Sequence, residues 1–306
     1  MEVFDLSKLN KKSKFKIKYR SPTLKINELN KWSGHLKRLQ QKIQSVIIGQ
    51  SEFIELLIIT LISNGHLLVI GEPGIGKSRA ISALSQAVLL ESHTIHLESN
   101  FIGFNLVTID ELDKLNSTFR RDLLTAMQER LSIVDEQLLY LDRPFLVIST
   151  INPSNEEIKL SKAELDRFMF SFSPPYPTIE EEIEIMSLTN HDEPPKLNKD
   201  FLSVSELLNI QRLSSLIEVD SKIKNLIAQI VSFTRLKDNH FTALSPRVSI
   251  SLVQAIKARA FLYNRKQANI DDLKFVFHKI VQHRLNASNL SESSLQSHNL
   301  LDQFLK

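Results

Sequence analysis

The chain of 306 residues is 42% hydrophobic and 24% charged, with a net charge of +3, long enough for one large domain or two modest ones, each with its own core. It has no cysteine, which excludes disulfides, thiolate metal sites and cysteine nucleophiles, and no apolar run reaches the length of a membrane span. The lysine-rich N-terminus lacks the apolar centre of a secretion signal, so a soluble, cytoplasmic protein is expected.

Residues 1–31 hold nine Lys and Arg against three acids, a surplus of six, so the remaining residues sum to −3. Such an arm could meet nucleic acid, an acidic partner or a membrane surface, or be a solvated tail. Residues 31–44 follow as a helix with Trp32, Leu36, Leu39 and Ile43 on one side. VIIGQ at 46–50 turns the chain, and residues 52–62 give a second helix ending near Asn64 and Gly65. Val46, Ile47 and Ile48 are candidates to contact a nucleotide base; plain core is the alternative.

The most informative stretch is LLVIGEPGIGKSRAISAL, residues 67–84. Four apolar β-formers run into Gly71, Glu72, Pro73, Gly74, Ile75, Gly76, Lys77 and Ser78, and a helical pattern opens at Arg79. This strand, glycine loop and helix has the G-x-x-x-x-G-K-S spacing that cradles phosphates. Its glycines let successive N–H groups aim at phosphate oxygens, and the helix adds its positive end. Lys77 then reaches the β- and γ-phosphates, and the Ser78 hydroxyl ligates Mg²⁺. Three of only seven glycines lie in this loop, so flexible backbone is concentrated where this chemistry needs it.

HTIHLE at 93–98 leans to strand, and FNLVTIDELD at 104–113 is an apolar run ending in adjacent acids. Asp110 is placed to hold Mg²⁺ through water and Glu111 to polarise the attacking water. A helix over 118–131, a hairpin over 133–140 and a buried strand in PFLVISTINP at 144–153 come next. Asn152, at the strand's carboxyl end, could orient the hydrolytic water or sense the γ-phosphate. Ser161 and Glu164 form a capping box for a helix ending in LDRF, and a last strand over 168–173 precedes Pro174, Pro175 and Pro177. Beyond this boundary the chain reads as helices over 178–188, 205–217, 221–237, 246–263 and 271–284, then a serine-rich tail from 285 with a late Leu300, Leu301 and Phe304 cluster. The expected units are an arm (1–31), an α/β domain (32–177), a helical domain (178–284) and a tail (285–306). The nine histidines are scattered, none of the closest pairs at i, i+4, and all are read as structural.

Together VIIGQ, GEPGIGKS, TIDELD, LLTAMQER, PFLVISTINP, AELDRF and LSPRVSISLVQAIKARAF resemble the MoxR family of AAA+ ATPases over residues 46–284. The resemblance implies an α/β fold with a P-loop AAA+ parallel-sheet domain followed by an all-α lid, and ATP and Mg²⁺ as ligands. It also implies a homo-oligomeric ring, usually a hexamer, with a chaperone-like role in maturing partner proteins, often ones carrying von Willebrand factor A domains. By position Asn152 matches the first sensor, Arg167 in LDRF the arginine finger that reaches the neighbouring subunit's nucleotide, and Arg247 in SPR the second sensor, which touches its own subunit's γ-phosphate. One departure stands out. Only SNFIGF separates Glu98 from Asn105, whereas a parallel crossover takes a dozen residues or more, and the family carries a pore-facing insert here. Either a segment is missing from the chain as written, or the protein lacks the pore loop, or HTIHLE pairs antiparallel; omission is favoured. The expected function is ATP hydrolysis coupled to remodelling of partners. The alternatives are an assembly module with little or no hydrolysis, and a DNA-associated machine. Few aromatics interleave the arm's basic residues, so nucleic acid ranks last.

Overall fold

Strand-length apolar runs that alternate with helical ones, joined by short loops, lead to a parallel sheet flanked by helices. The computed structural model describes residues 23–88, 90, 92–95, 101–134, 137–152, 160–187, 202–236, 241–285 and 290–305. The basic stretch 1–22 lies outside the described residues.

Two helices, α1 (Ile26–Gln44) and α2 (Ser51–Ser63), precede β1 (Leu67–Ile70) and α3 (Lys77–Ala87). Then come β2 (Ser92–Ile95), β3 (Leu106–Ile109), α4 (Ser117–Glu129), the hairpin β4 (Leu131–Val134) and β5 (Gln137–Tyr140), β6 (Leu146–Ile151), α5 (Lys162–Leu165) and β7 (Phe170–Phe172). The remainder is α6 (Ile179–Met186), α7 (Val204–Ser214), β8 (Glu218–Val219), α8 (Ser221–Phe233), α9 (Pro246–Leu262), β9 (Gln267–Ala268), α10 (Ile270–Val281) and α11 (Leu290–Leu305). Helix α1 starts at Ile26, inside the stretch expected as arm, because Leu29 continues its buried stripe of Trp32, Leu36, Leu39 and Ile43.

The main sheet runs β2-β3-β6-β1-β7, all parallel. Strand side chains alternate between two cores. Leu67 and Val69 of β1, with Leu146 and Ile148 of β6, face α1, α2, α3 and the lid helices. Leu68, Ile70, Val107, Val147 and Ile151 face α4, where Phe119, Leu123 and Met127 pack. Phe53 to Ile62 of α2 are all buried, so this helix is enclosed rather than amphipathic. Truncating Leu57, with none of its surface exposed, is expected to cost about 2–5 kcal/mol.

Strand β2 pairs parallel with β3, Ser92 opposite Leu106, which overturns the antiparallel alternative. Ten residues, 96–105, make the return. A four-residue strand is about 13 Å long and ten extended residues span about 33 Å, so a connection of this length is long enough for a parallel return. The premise that so short a crossover cannot be parallel is therefore corrected. Phe101 fills the gap, 2% exposed and tilted against Phe119 with ring centroids 5.3 Å apart.

The end of the expected tail docks through its late apolar cluster, and it does so as a helix. Residues from 290 form α11, whose Leu300 and Leu301 are buried and whose Phe304 meets Phe233 of α8 edge-on. Three of the helices after β7 open on reciprocal capping boxes, Thr178 with Glu181, Ser203 with Glu206, and Asn269 with Asp272. Short β8 and β9 pair in parallel between them. Among the described residues, no helix is long and apolar enough to cross a membrane.

Candidate active site

In an open parallel sheet the crevice beyond the strands' carboxyl ends is where ligands bind, and the predicted chemistry gathers there. After β1 the loop bends through Gly74 at φ +88° and Gly76 at φ +85°, a region that favours glycine, and a Cβ at either would meet nothing within 4 Å. Gly71 serves differently. It is not left-handed, and a Cβ there would approach Ile75 Cδ1 to 2.6 Å, so its smallness lets the loop fold over Ile75. Gly76 caps α3 with no side-chain bond, leaving the helix's first N–H groups open to an anion.

Lys77, the first residue of α3, is 6% exposed. Its ammonium donates to Gly71 O (2.5 Å), Glu72 O (2.7 Å) and Asn152 Oδ1 (3.0 Å). Burial lowers its pKa, while Asp110, Glu72 and Glu111 work the other way. It lies on its own loop's carbonyls, an arrangement that phosphate oxygens could replace.

The two acids leave β3 at the expected place. Thr150 of β6 donates to Asp110 Oδ1, and its hydroxyl accepts the Glu111 N–H at 3.1 Å. This pins Glu111, whose φ of +53° is uncommon for a non-glycine residue. Asn152 Nδ2 donates to Glu111 Oε1 at 2.7 Å, and Lys114 Nζ lies 2.7 Å from the same oxygen. The Lys114 hydrogen bond holds the Glu111 carboxyl below the usual range against the opposing effect of burial, with the Lys114 charge, Asn152 and Lys77 adding smaller contributions. One hydrogen-bonded line thus runs Lys77, Asn152, Glu111, Lys114.

Ser78 and Asp110 line one cavity of about 310 Å³ between α3 and the β2–β3–β6 edge, with Thr150, Thr108, Ser82 and Gln86. A hydroxyl and a carboxylate are the hard oxygen donors that Mg²⁺ takes. Val46, Ile47 and Ile48 line a second cavity of about 200 Å³ with Gly74, Ile75, Gly76 and Arg79. Gln50, Pro177 and Ile185 also line it, and sequence reasoning missed them; they come from a turn, from the segment leading into α6 and from α6 itself. Gly49 at φ +65° packs on α6, where a Cβ would meet Glu181 Oε1 at 2.6 Å. Of the remaining loop residues, Glu72 contributes its carbonyl to Lys77, and Pro73 is exposed.

The two matched arginines stand apart from this line. Arg167 Nη1 donates to Leu124 O of α4 at 3.0 Å. Arg247 Nη1 lies 3.2 Å from Asp166 Oδ2, and Arg284 Nε is 2.9 Å from Asp166 Oδ1. The lid arginine thus pairs with the residue next to Arg167 and bonds no group of the phosphate loop.

Three family profiles match the chain. A MoxR domain of the MoxR-vWA-beta-propeller ternary systems covers residues 34–98, an ATPase family associated with various cellular activities (AAA) covers 91–170, and an AAA lid domain covers 234–302. The chain is 28% identical over 276 residues to the uncharacterised protein YeaC of Bacillus subtilis, covering 82% of this chain and 86% of that one. It is 27% identical over 288 residues to the chaperone MoxR1 of Mycobacterium tuberculosis, covering 82% and 75%. A candidate ATPase from Cytophaga hutchinsonii shares the fold, with a TM-score of 0.79 and 24% identity over 91% of this chain and 96% of that one. With the phosphate loop, the acid pair and the lid in one chain, the protein belongs to the MoxR family of AAA+ ATPases.

Proposed function

We propose that the chain hydrolyses ATP with Mg²⁺ and couples the cycle to remodelling of partner proteins, working as a ring of copies, usually six, on clients that include von Willebrand factor A domain proteins. The observation that carries this reading is the bonded line from Lys77 through Asn152 to Glu111, which ties a phosphate-binding cation to a water-activating acid through one amide. The residues fit the ligand: an open glycine cradle, a base-sized cavity beside it, and Ser78 and Asp110 facing a common space. The bound triphosphate and its cation supply the transferable phosphoryl group and neutralise its charge.

The chain's own residues do the rest. Lys77 exchanges backbone carbonyls for phosphate oxygens, Asn152 is released to orient water, and Glu111 accepts the water's proton. Arg167 is the cation lent to an adjoining copy, worth roughly 10³–10⁵ in rate. Arg247 is the second sensor, which requires it to leave Asp166. The ten-residue return between β2 and β3 favours a variant in which partners are remodelled without being threaded through a pore.

The test is phosphate release from mixed rings. Arg167→Ala subunits and Glu111→Gln subunits should each be inactive alone and recover part of the rate when mixed, because an intact finger then faces an intact acid. No recovery would contradict a finger acting across an interface.

A further inference from the structure

The established features of the site use Glu111 but leave its closest cation unexplained. Lys114 sits at the end of the single helical turn Leu112–Lys114, 63% exposed, with Nζ 2.7 Å from Glu111 Oε1. Asn152 Nδ2 occupies the same oxygen at 2.7 Å. No hydrogen bond reaches Oε2 among the described residues. The Glu111 backbone is fixed from the other side by its N–H bond to Thr150, so only the side chain can swing. Asn152 is spent at both ends, on Lys77 and on Glu111.

We propose that Lys114 is a brake on Glu111: it holds the carboxylate in a resting arrangement when Asn152 lets go, and turnover is slowed until this ion pair opens. The proposal rests on the reading of Glu111 as the group that activates water. The two holds differ in what releases them. Asn152 is tied to Lys77, so a phosphate tail that draws Lys77 off its present acceptors also frees the amide. Lys114 touches no loop residue, and nothing about nucleotide binding withdraws it. A carboxylate oxygen with an ammonium on it is a poorer acceptor for a water proton, so opening the pair adds to the barrier. An exposed pair of this kind is worth little, which sets the scale at roughly two- to five-fold in rate. The charges of Asp113 and Asp110 also favour the Lys114 ammonium, after that of Glu111.

The experiment is steady-state phosphate release from the full chain against ATP concentration, for wild type, Lys114→Ala, Lys114→Gln, Lys114→Arg and Glu111→Gln. The expected result is a kcat roughly two- to five-fold above wild type in Lys114→Ala and Lys114→Gln, with KM unchanged and Lys114→Arg at the wild-type rate. The excess should shrink as salt rises, because salt screens the pair in the wild type. A kcat at or below wild type in both neutral variants, or a change confined to KM, would overturn the brake while leaving the hydrolase reading intact. Full turnover in Glu111→Gln would instead remove that reading, and the brake with it.

Discussion

Two charge clusters in this chain are made of similar groups and are built differently. At the phosphate loop, Glu111 and Lys114 are 34% and 63% exposed, and Asn152 links the acid to Lys77. In the lid, Asp272 is fully buried, and both of its oxygens accept from Arg265, with Arg259 Nη1 and the Asn269 N–H completing its shell. Arg259 then bonds Glu55 of α2 at 2.8 Å, Tyr263 donates to the other Glu55 oxygen, and Lys279 bonds Glu52. The lid cluster ties α9 and α10 to the helix that opens just after the base-lining turn. Asp272 at its centre is dry and saturated, which fixes the arrangement, while Glu52 at its edge is half exposed. In the loop cluster Glu111 is a third exposed, and Lys77, though buried, spends two of its three bonds on backbone carbonyls that a ligand's oxygens can replace. The acid that must change partners is kept near water, whereas the acid that holds α10 and α9 together is buried and fully bonded.

That contrast can be broken by mutation. Glu111→Gln should lower phosphate release by roughly 10²–10⁴-fold while leaving nucleotide binding and the melting transition near wild type. Loss of stability in this variant would put the loop cluster in the structural class. Asp272→Ala should do the opposite, costing about 3–5 kcal/mol in denaturant unfolding because two guanidinium groups lose their buried anion. A shift under 1 kcal/mol would mean the cluster is solvated in solution, contrary to its geometry.

A third, smaller effect separates buried neutral groups from both clusters. His66 is enclosed, with Nε2 on Met127 O and Nδ1 accepting the Val147 N–H, and burial pulls its pKa from 6.5 to about 4. Its folded-state value is depressed, so its contribution is complete above about pH 6.5 and is lost as pH falls towards 4. The loss should not exceed about 3 kcal/mol, and His66→Gln should flatten that part of the stability profile. Smallest is Gly49→Ala, expected to cost about 1–2 kcal/mol from its positive φ and the approach of Glu181, and to weaken nucleotide binding through α6. Unchanged binding would detach α6 from the base cavity.

Much of this was legible in the chain. The glycine loop and the acid pair announce themselves by local spacing, and both sit where β1 and β3 end. Capping boxes at Thr178 and Ser161 follow from the three-residue offset, and Ser203 with Glu206 could have been found the same way. The base cavity was half legible. Val46 to Ile48 precede the first strand, whereas Ile185 and Pro177 come from far along the chain and no local pattern links them. Helix α11 was hidden by its serines. Ser297 is fully buried, its hydroxyl bonding Ser294 O at 2.7 Å and lying 3.1 Å from His278 Nδ1, so hydroxyls that suggest a solvated tail are satisfied inside. The ten-residue crossover escaped because the usual length of such connections reflects the helix they carry, and here Phe101 does the packing instead.

The central claim is that a triphosphate bound on this loop is hydrolysed with help from a neighbouring copy. Phosphate release per subunit, measured at saturating ATP and Mg²⁺ over a wide range of protein concentration, tests it most directly. The account predicts a rate that climbs with concentration to a plateau and is abolished in Arg167→Ala. A rate that is flat with concentration and unchanged in that variant would contradict it.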